Sequence, residues 1–486
     1  MSKFSTLDKY ESPAGQYELL PFRFEPLDDD NVVVTNYVGE FVFLKRKQLD
    51  DVVQKRLNPT DETYSLLRSR HFLKEASDFA SIELLGLKTR TKFSNLRNFT
   101  NLHIFVVSLR CDHSCPYCQV SRQSENKAAF DMTVETADKA LAIVFRSPNP
   151  AIKIEFQGGE PLLNFELIRH VVIKAKEINE IEKRDLQFVI ATTLSLITDE
   201  ALDFCKEHKI FLSSSLDGPE DLHNRNRPRP GKDSHTRFVE GLKKARDKVG
   251  FDSVSALMTT TTASLTRARD IIDEYLKHDF DGIFLRHLSP YGFAIKTKTY
   301  GAYNVDNWLE FYCEGLDYIL ELNKQGVHFT EYFASLLLTK MLTSNDPGFV
   351  DLMSPAGAGI AAVVFNYDGD VYASDESRML REMGDTTFKL GNLHTSSYED
   401  IFTSDALLSA LDDSFTMSAP MCSDCAFEPW CGAEPVFHHA IFGDMLGRKP
   451  ESEFCKRIMG VVKYLLKKMQ TDPEAKEIFM RWANKC

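Results

Sequence analysis

Three cysteines lie within one short stretch, Cys111-Asp-His-Ser-Cys115-Pro-Tyr-Cys118, directly after the strand-like run Leu102-His-Ile-Phe-Val-Val-Ser-Leu109. Thiolates are preferred ligands of iron–sulfur clusters and of zinc, and a loop leaving a strand can wrap one metal centre. Spacing of three and then two residues offers three thiolates, so a four-iron cluster held here would keep one iron open to another ligand. A structural zinc site closes its tetrahedron with a fourth protein ligand, which His113 or a distant cysteine could supply. Spacing alone leaves both readings open.

The other cysteines sharpen the question. Of ten in all, Cys422, Cys425, Cys431 and Cys455 form a second group, while Cys205, Cys313 and Cys486 stand alone. The start, Met1-Ser-Lys-Phe-Ser-Thr-Leu-Asp-Lys9, lacks the apolar core of a signal peptide, and there is no run of about 18 apolar residues. The expectation is a cytoplasmic chain without a membrane span, in which grouped cysteines serve as metal or redox ligands rather than disulfides. A net charge of −13 argues against a nucleic-acid partner. It is compatible with a basic peptide.

At 486 residues the chain has room for two or three domains. Residues 1–98 read as a small α+β module, winged-helix-like. Two short strands surround a turn at Asn36 to Gly39, helical segments follow at about 47–56 and 60–72, and then comes a polar approach to the next strand. Such a module could bind an extended peptide on a strand edge or pack as a cover. Residues 99–330 alternate strand-like runs (102–109, 151–157, 186–192, 210–216, 253–260, 282–287) with helical ones (133–146, 165–181, 199–208, 234–248, 264–278). That is the pattern of an α/β fold built as a partial (β/α)6 barrel, whose active site lies at the carboxyl ends of the strands. Residues 331–486 begin with helical sequence, turn irregular over 350–460 where the second cysteine group falls, and close with a helix at about 453–470 and a short tail, 474–484.

The loops after the strands carry the remaining signals. The second strand ends in Gln157-Gly158-Gly159-Glu160-Pro161, where paired glycines admit a ligand to the backbone and Glu160 can pair with an amine. The fourth ends in Ser215-Leu-Asp217-Gly218-Pro219, followed by His223, Arg225 and Arg227, which could hold a carboxylate. Taken singly, each reads as a plain turn.

Taken in order, at successive strand ends, these motifs resemble the radical S-adenosylmethionine (SAM) superfamily. The resemblance implies that Cys111, Cys115 and Cys118 hold a 4Fe–4S cluster whose free iron binds SAM. One electron then cleaves SAM to a 5′-deoxyadenosyl radical that abstracts hydrogen from substrate. It places Gly158, Gly159 and Glu160 at the SAM amino group, and Tyr117, Ser215 and Arg227 among the cofactor contacts. Ala191-Thr-Thr-Leu-Ser195 departs from the Thr-Asn-Gly usual at the third strand end, so no contact is carried over there.

Cys422-x2-Cys425-x5-Cys431 with Cys455 offers four thiolates, a closed site for zinc or iron–sulfur. The segment resembles the SPASM domain of radical SAM peptide maturases, which holds two auxiliary clusters. Serine (Ser374) stands where the pattern's Gly-x4-Cys needs cysteine, and its last x3-Cys step falls on Pro435. Every inner-cluster ligand is thus missing and all four outer ones remain, so the expectation is one auxiliary 4Fe–4S cluster at Cys422, Cys425, Cys431 and Cys455. Asp375 follows Ser374 where sulfatase-maturating relatives keep a proton-accepting aspartate; a solvated turn residue is the other reading.

Leu19-Leu-Pro-Phe-Arg-Phe24, Asn36-Tyr-Val-Gly-Glu-Phe-Val-Phe-Leu44 and Cys118-Gln-Val-Ser-Arg122 resemble the His-Xaa-Ser system radical SAM maturases of the B type. That likeness implies an enzyme acting on side chains of a ribosomally made precursor with His-Xaa-Ser repeats. Further partners would be a flavodoxin- or ferredoxin-type electron donor and a second, C-type radical SAM maturase. Two other functions compete: a sulfatase-maturation-type Ser/Cys oxidase forming formylglycine, and a non-catalytic Fe–S subunit that presents substrate.

Overall fold

A computed structural model describes residues 17–75, 78 and 80–485. Met1 to Lys9 and Cys486 lie outside the described residues. Near the N-terminus β1 (Tyr17–Leu19) pairs with β5 (Leu73–Glu75). Between them β2 (Phe22–Pro26), β3 (Asn31–Asn36) and β4 (Phe41–Lys45) form an antiparallel sheet. Helices Arg46–Val53 and Glu62–Ser69 close over it, and Leu49, Val52, Tyr64 and Leu67 pack with Val32, Val34, Val42 and Leu44. The turn into β4 needs its glycine: Gly39 has φ +93°, and a Cβ there would meet the Trp430 indole at 2.9 Å. Where a polar approach was expected, the chain forms helix Ala80–Lys92, which leaves Ile82, Leu84 and Leu87 exposed.

The central sheet has eight strands. β6 (Leu102–Ser108), β7 (Ala151–Gly158), β8 (Asp185–Ala191), β9 (Ile210–Ser215) and β10 (Val254–Leu257) run parallel in chain order. β6 is buried from His103 onward, the near-continuous apolar run of a parallel strand covered on both faces. Helices Val134–Val144, Phe165–Glu182, Asp199–His208 and Ser234–Lys248 connect these strands, and Ala268–Lys277 follows β10. Thr133 and Thr198 cap two of them through their hydroxyls, and Lys183 and Lys209 end two in the left-handed conformation.

Two expectations need correction. The run 282–287 was read as a sixth barrel strand, but only β11 (Gly282–Ile283) forms, and it pairs with β12 (Thr330–Glu331) rather than with β10. The cause is a buried carboxylate: Leu285 N–H donates to Glu331 Oε1 at 3.0 Å, which takes that amide out of any ladder. The stretch 350–460, expected to be irregular, supplies β13 (Ala362–Phe365), β14 (Asp370–Tyr372) and β15 (Lys389–Asn392). β13 lies parallel beside β6, so the sheet continues past the cysteine-loop strand on its open side. Helices Val305–Lys324, Tyr332–Leu342, Glu453–Thr471 and Pro473–Ala483 complete the C-terminal part.

Candidate metal and cofactor site

β6 delivers the first cysteine loop at its carboxyl end, and buried polar contacts anchor both ends of that loop. Arg110 clamps Asp131 with two hydrogen bonds of 2.7 Å and donates a third to Leu163 O. At the far end Phe293 N–H donates to Cys118 O at 2.8 Å, and a Cβ at Gly292 (φ +58°) would lie 2.4 Å from Gln119 O. Ser114 N–H donates to Pro228 O at 2.8 Å. Asp112 accepts from Ser195 Oγ at 2.6 Å and pairs with His113 Nδ1 at 2.9 Å and Arg229 Nε at 3.4 Å. Burial pushes the Asp112 carboxyl up, but these partners outweigh it and hold it below the usual range.

The three thiols are free and half-buried. Burial drives the Cys111 thiol well up and Cys115 up to about 12, against the lowering pull of the Arg227 cation. Thiols buried this way are released as thiolates only when a cation arrives, which suits a metal centre and not a free nucleophile. His113 Nδ1 lies 2.9 Å from Asp112 Oδ1 and its Nε2 lies 2.8 Å from Ser234 Oγ. The three thiols of this loop fit a four-iron cluster with one iron left open.

The glycines after β7 answer to the protein itself. A Cβ on Gly158 would sit 1.9 Å from Ser108 O, and one on Gly159 would sit 2.2 Å from Arg110 O. What approaches the backbone here is the root of the cysteine loop. Glu160, fully buried, does not present a free carboxylate. It accepts from Leu162 N, Thr192 Oγ1, Thr193 N and Thr193 Oγ1 at 2.7–3.0 Å, which fills about four lone-pair sites. These bonds make Glu160 a bridge between the ends of β7 and β8. Tyr117 donates to Asp217 Oδ2 at 2.7 Å and accepts from Arg227 Nη1 at 2.8 Å, directly under Cys118 in the chain. Ser215 ends β9 beside them. Of the downstream residues, His223 spends its nitrogens on Asp217 N–H and Ser234, and Arg225 is exposed.

Sequence reading missed Thr192, Thr193, Ser195, Asp112 and Arg229. The departure at the third strand end was the available signal, since hydroxyls there replace the usual Asn-Gly.

The second group also converges. Cys422, Cys425, Cys431 and Cys455 are free and half-buried, and the Cys431 thiol, raised by burial, is raised further by the other three. The Cys425 thiol is pushed up to about 11 by burial, with Cys455 and Cys422 adding to it. The N-terminal sheet grips the loop between Cys425 and Cys431. Thr35 Oγ1 donates to Ala426 O at 2.7 Å, Arg23 pairs with Glu428 at 2.8 Å in full burial, Lys92 donates to Pro429 O at 3.0 Å, and the Trp430 indole donates to Gly39 O at 3.1 Å. Ser374 caps helix Asp375–Arg381 and Pro435 opens helix Pro435–Phe442.

Asp375 heads helix Asp375–Arg381 and pairs with Arg378 at 3.3 Å, and Arg378 in turn donates to Val120 O at 3.0 Å, two residues past Cys118. Around it lies a charge set that the sequence did not reveal. Burial, with Asp351 and Asp375 nearby, pushes Glu376 up to about 7. Burial also raises Glu155, Asp351 and Glu434. Arg286 lies 4.0 Å from Glu376, and the buried Arg457 faces Asp351 and Glu434.

With this geometry in hand, likeness to known proteins becomes informative. The family model of the radical SAM superfamily matches residues 105–274. Over 318 residues the chain is 25% identical to the cysteine-type anaerobic sulfatase-maturating enzyme of Clostridium perfringens, spanning 62% of this chain and 80% of that one. Among solved structures, native anSMEcpe with bound AdoMet matches with a TM-score of 0.63 at 17% identity, over 78% of this chain and 100% of that one. Streptococcus suis SuiB bound to precursor peptide SuiA matches with a TM-score of 0.54 at 14% identity, over 90% of this chain and 98% of that one. The two structural matches are likenesses of fold.

Proposed function

This chain carries a radical SAM domain with homology to that of the anaerobic sulfatase-maturating enzymes, and on that premise we propose that it is a maturase modifying side chains of a ribosomally made precursor peptide with His-Xaa-Ser repeats. The observation that carries the reading is the loop of three free thiols at the end of β6. When bound there, a 4Fe–4S cluster and SAM supply one-electron cleavage of SAM and the hydrogen abstraction that follows.

The chain's own residues have separable tasks. Cys111, Cys115 and Cys118 would hold the cluster, and Tyr117, Gly158, Gly159, Glu160, Ser215 and Arg227 would shape the SAM site, Glu160 by fixing two strand ends. Cys422, Cys425, Cys431 and Cys455 would hold one auxiliary 4Fe–4S cluster, giving about eight irons per chain. A count of about twelve, as three such clusters would give, contradicts that assignment. Asp375 would accept a proton from the substrate. A one-electron donor of flavodoxin or ferredoxin type and a C-type partner maturase belong to the same reading.

Residues 1–98 would recognise the precursor. A groove of about 920 Å³ runs along β4 and helix Ala80–Lys92, lined by Phe41, Phe43, Leu66 and Leu87 together with the cations Arg70, Lys88, Lys340 and Lys476. Glu40 and Asp346 are its acidic lining residues. Such a surface suits an extended segment of apolar and acidic side chains laid along the strand. Residues 99–330 would form the radical SAM core and 331–486 the auxiliary-cluster domain. Among the described residues no helix is long and apolar enough to cross a membrane.

A second reading, oxidation of a single Ser or Cys to formylglycine, is favoured by the likeness to a sulfatase-maturating enzyme. Anaerobic reconstitution with reductant, SAM and either a His-Xaa-Ser peptide or a sulfatase-type peptide separates the two by 5′-deoxyadenosine yield and peptide mass. Turnover of the first peptide is expected. Modification of the sulfatase peptide alone favours the second reading, and no SAM cleavage with the clusters loaded overturns both.

A further inference from the structure

The helices that precede and follow β10 bring together a donor set that none of these tasks uses. His235 is the second residue of helix Ser234–Lys248, Glu274 lies in the last turn of helix Ala268–Lys277, and His278 is that helix's C-cap. His235 Nε2 lies 2.8 Å and His278 Nε2 2.9 Å from the same oxygen, Glu274 Oε1. The three ligand atoms all lie within 4.8 Å of one another. His235 and Glu274 are 7% and 6% exposed. Glu274 and His278 are four residues apart and so share one helix face.

As a set of hydrogen bonds this arrangement is crowded. Glu274 Oε1 receives both imidazoles and also Lys277 Nζ at 3.1 Å, three donors on an oxygen with two lone pairs. One cation in their midst would replace all three donors, with both imidazoles turned from donors to ligands. Lys277, whose side chain is 62% exposed, is free to swing into solvent as an ion enters. Two imidazoles and a carboxylate are a donor set that suits zinc and its neighbours, with water completing the shell.

We propose that His235, Glu274 and His278 bind one divalent cation of the zinc class, which clamps the helix after β10 to the start of the helix before it. The clamp reaches the first cysteine loop by one further step. Ser234 precedes His235, and its hydroxyl is bonded by His113 Nε2 at 2.8 Å and by His223 Nε2 at 3.0 Å. An ion holding His235 therefore also fixes the residue on which His113, two positions past Cys111, is anchored.

The test uses the full-length chain with both cysteine groups loaded anaerobically with iron and sulfide. Zinc is added, excess is removed by desalting, and zinc, iron and the zinc X-ray absorption fine structure are measured. About one retained zinc per chain is expected, with nitrogen and oxygen neighbours at about 2.0–2.1 Å. His278→Ala should lose that zinc while keeping its iron and its circular dichroism. No retained zinc, sulfur neighbours at about 2.3 Å, or equal retention in a folded His278→Ala protein would each overturn the proposal. The ligand-shell measurement is made on the unaltered chain, so it decides the matter even where the variant does not fold.

Discussion

Asp375 and Glu376 are neighbours with unlike surroundings. Asp375 is ion-paired to Arg378, which ties it to the backbone just past Cys118, whereas Glu376 is a half-buried carboxyl beside Asp351 with Arg286 4.0 Å away. If Asp375 takes the substrate proton, Asp375→Asn should cut peptide modification by about 10²–10⁴-fold while 5′-deoxyadenosine still forms. Full peptide turnover in that variant dismisses the role. Glu376 makes a different prediction, about stability. Its folded value, about 7, lies above the ordinary 4.5, so its contribution is intact at low pH and is lost as pH rises through about 7. Glu376→Gln should flatten that pH dependence. Urea unfolding at about pH 5 and about pH 8 measures it, and identical pH dependence in the two proteins contradicts it.

At the scale of elements, the N-terminal sheet and the second cysteine loop form one joint. The Arg23–Glu428 pair is 3% and 4% exposed, and Glu428 also accepts from Thr416 Oγ1 at 2.7 Å. Arg23→Ala leaves a buried carboxylate unpaired and should cost about 3–5 kcal/mol in denaturant unfolding. Iron content should fall from about eight toward about four as the loop loosens. The double replacement of Arg23→Met with Glu428→Leu should recover most of the stability, since no charge is then stranded. A stable Arg23→Ala protein with full iron content would refute the joint.

The joint was invisible in the sequence because Arg23 and Glu428 lie at opposite ends of the chain. Both cysteine groups were legible, because close spacing makes several thiols of one short segment available to one centre. Strands β6 to β9 were legible from their apolar runs and bounding turns. The sixth strand was misread because the apolar pattern of Phe284 and Leu285 persists after Glu331 has captured the backbone. β13 escaped notice because four residues buried on both faces show no alternation.

Over the whole molecule, the proposed division of work gives recognition to the groove beside β4 and chemistry to the loop after β6. Reversing two charges that line the groove, Lys88→Glu with Lys476→Glu, should weaken precursor binding by about tenfold or more, since each charge becomes a like-charge neighbour of an acidic segment. Cleavage of SAM without peptide should be unchanged. Equal precursor affinity in titration calorimetry would place recognition elsewhere. In the proposed reaction, hydrogen passes from a precursor side chain to the cleaved cofactor. A His-Xaa-Ser peptide deuterated on its side chains, incubated anaerobically with the reconstituted chain, reductant and SAM, tests this most directly. Deuterium appearing in 5′-deoxyadenosine in step with a change in peptide mass is the predicted result; 5′-deoxyadenosine free of label beside an unchanged peptide would contradict it.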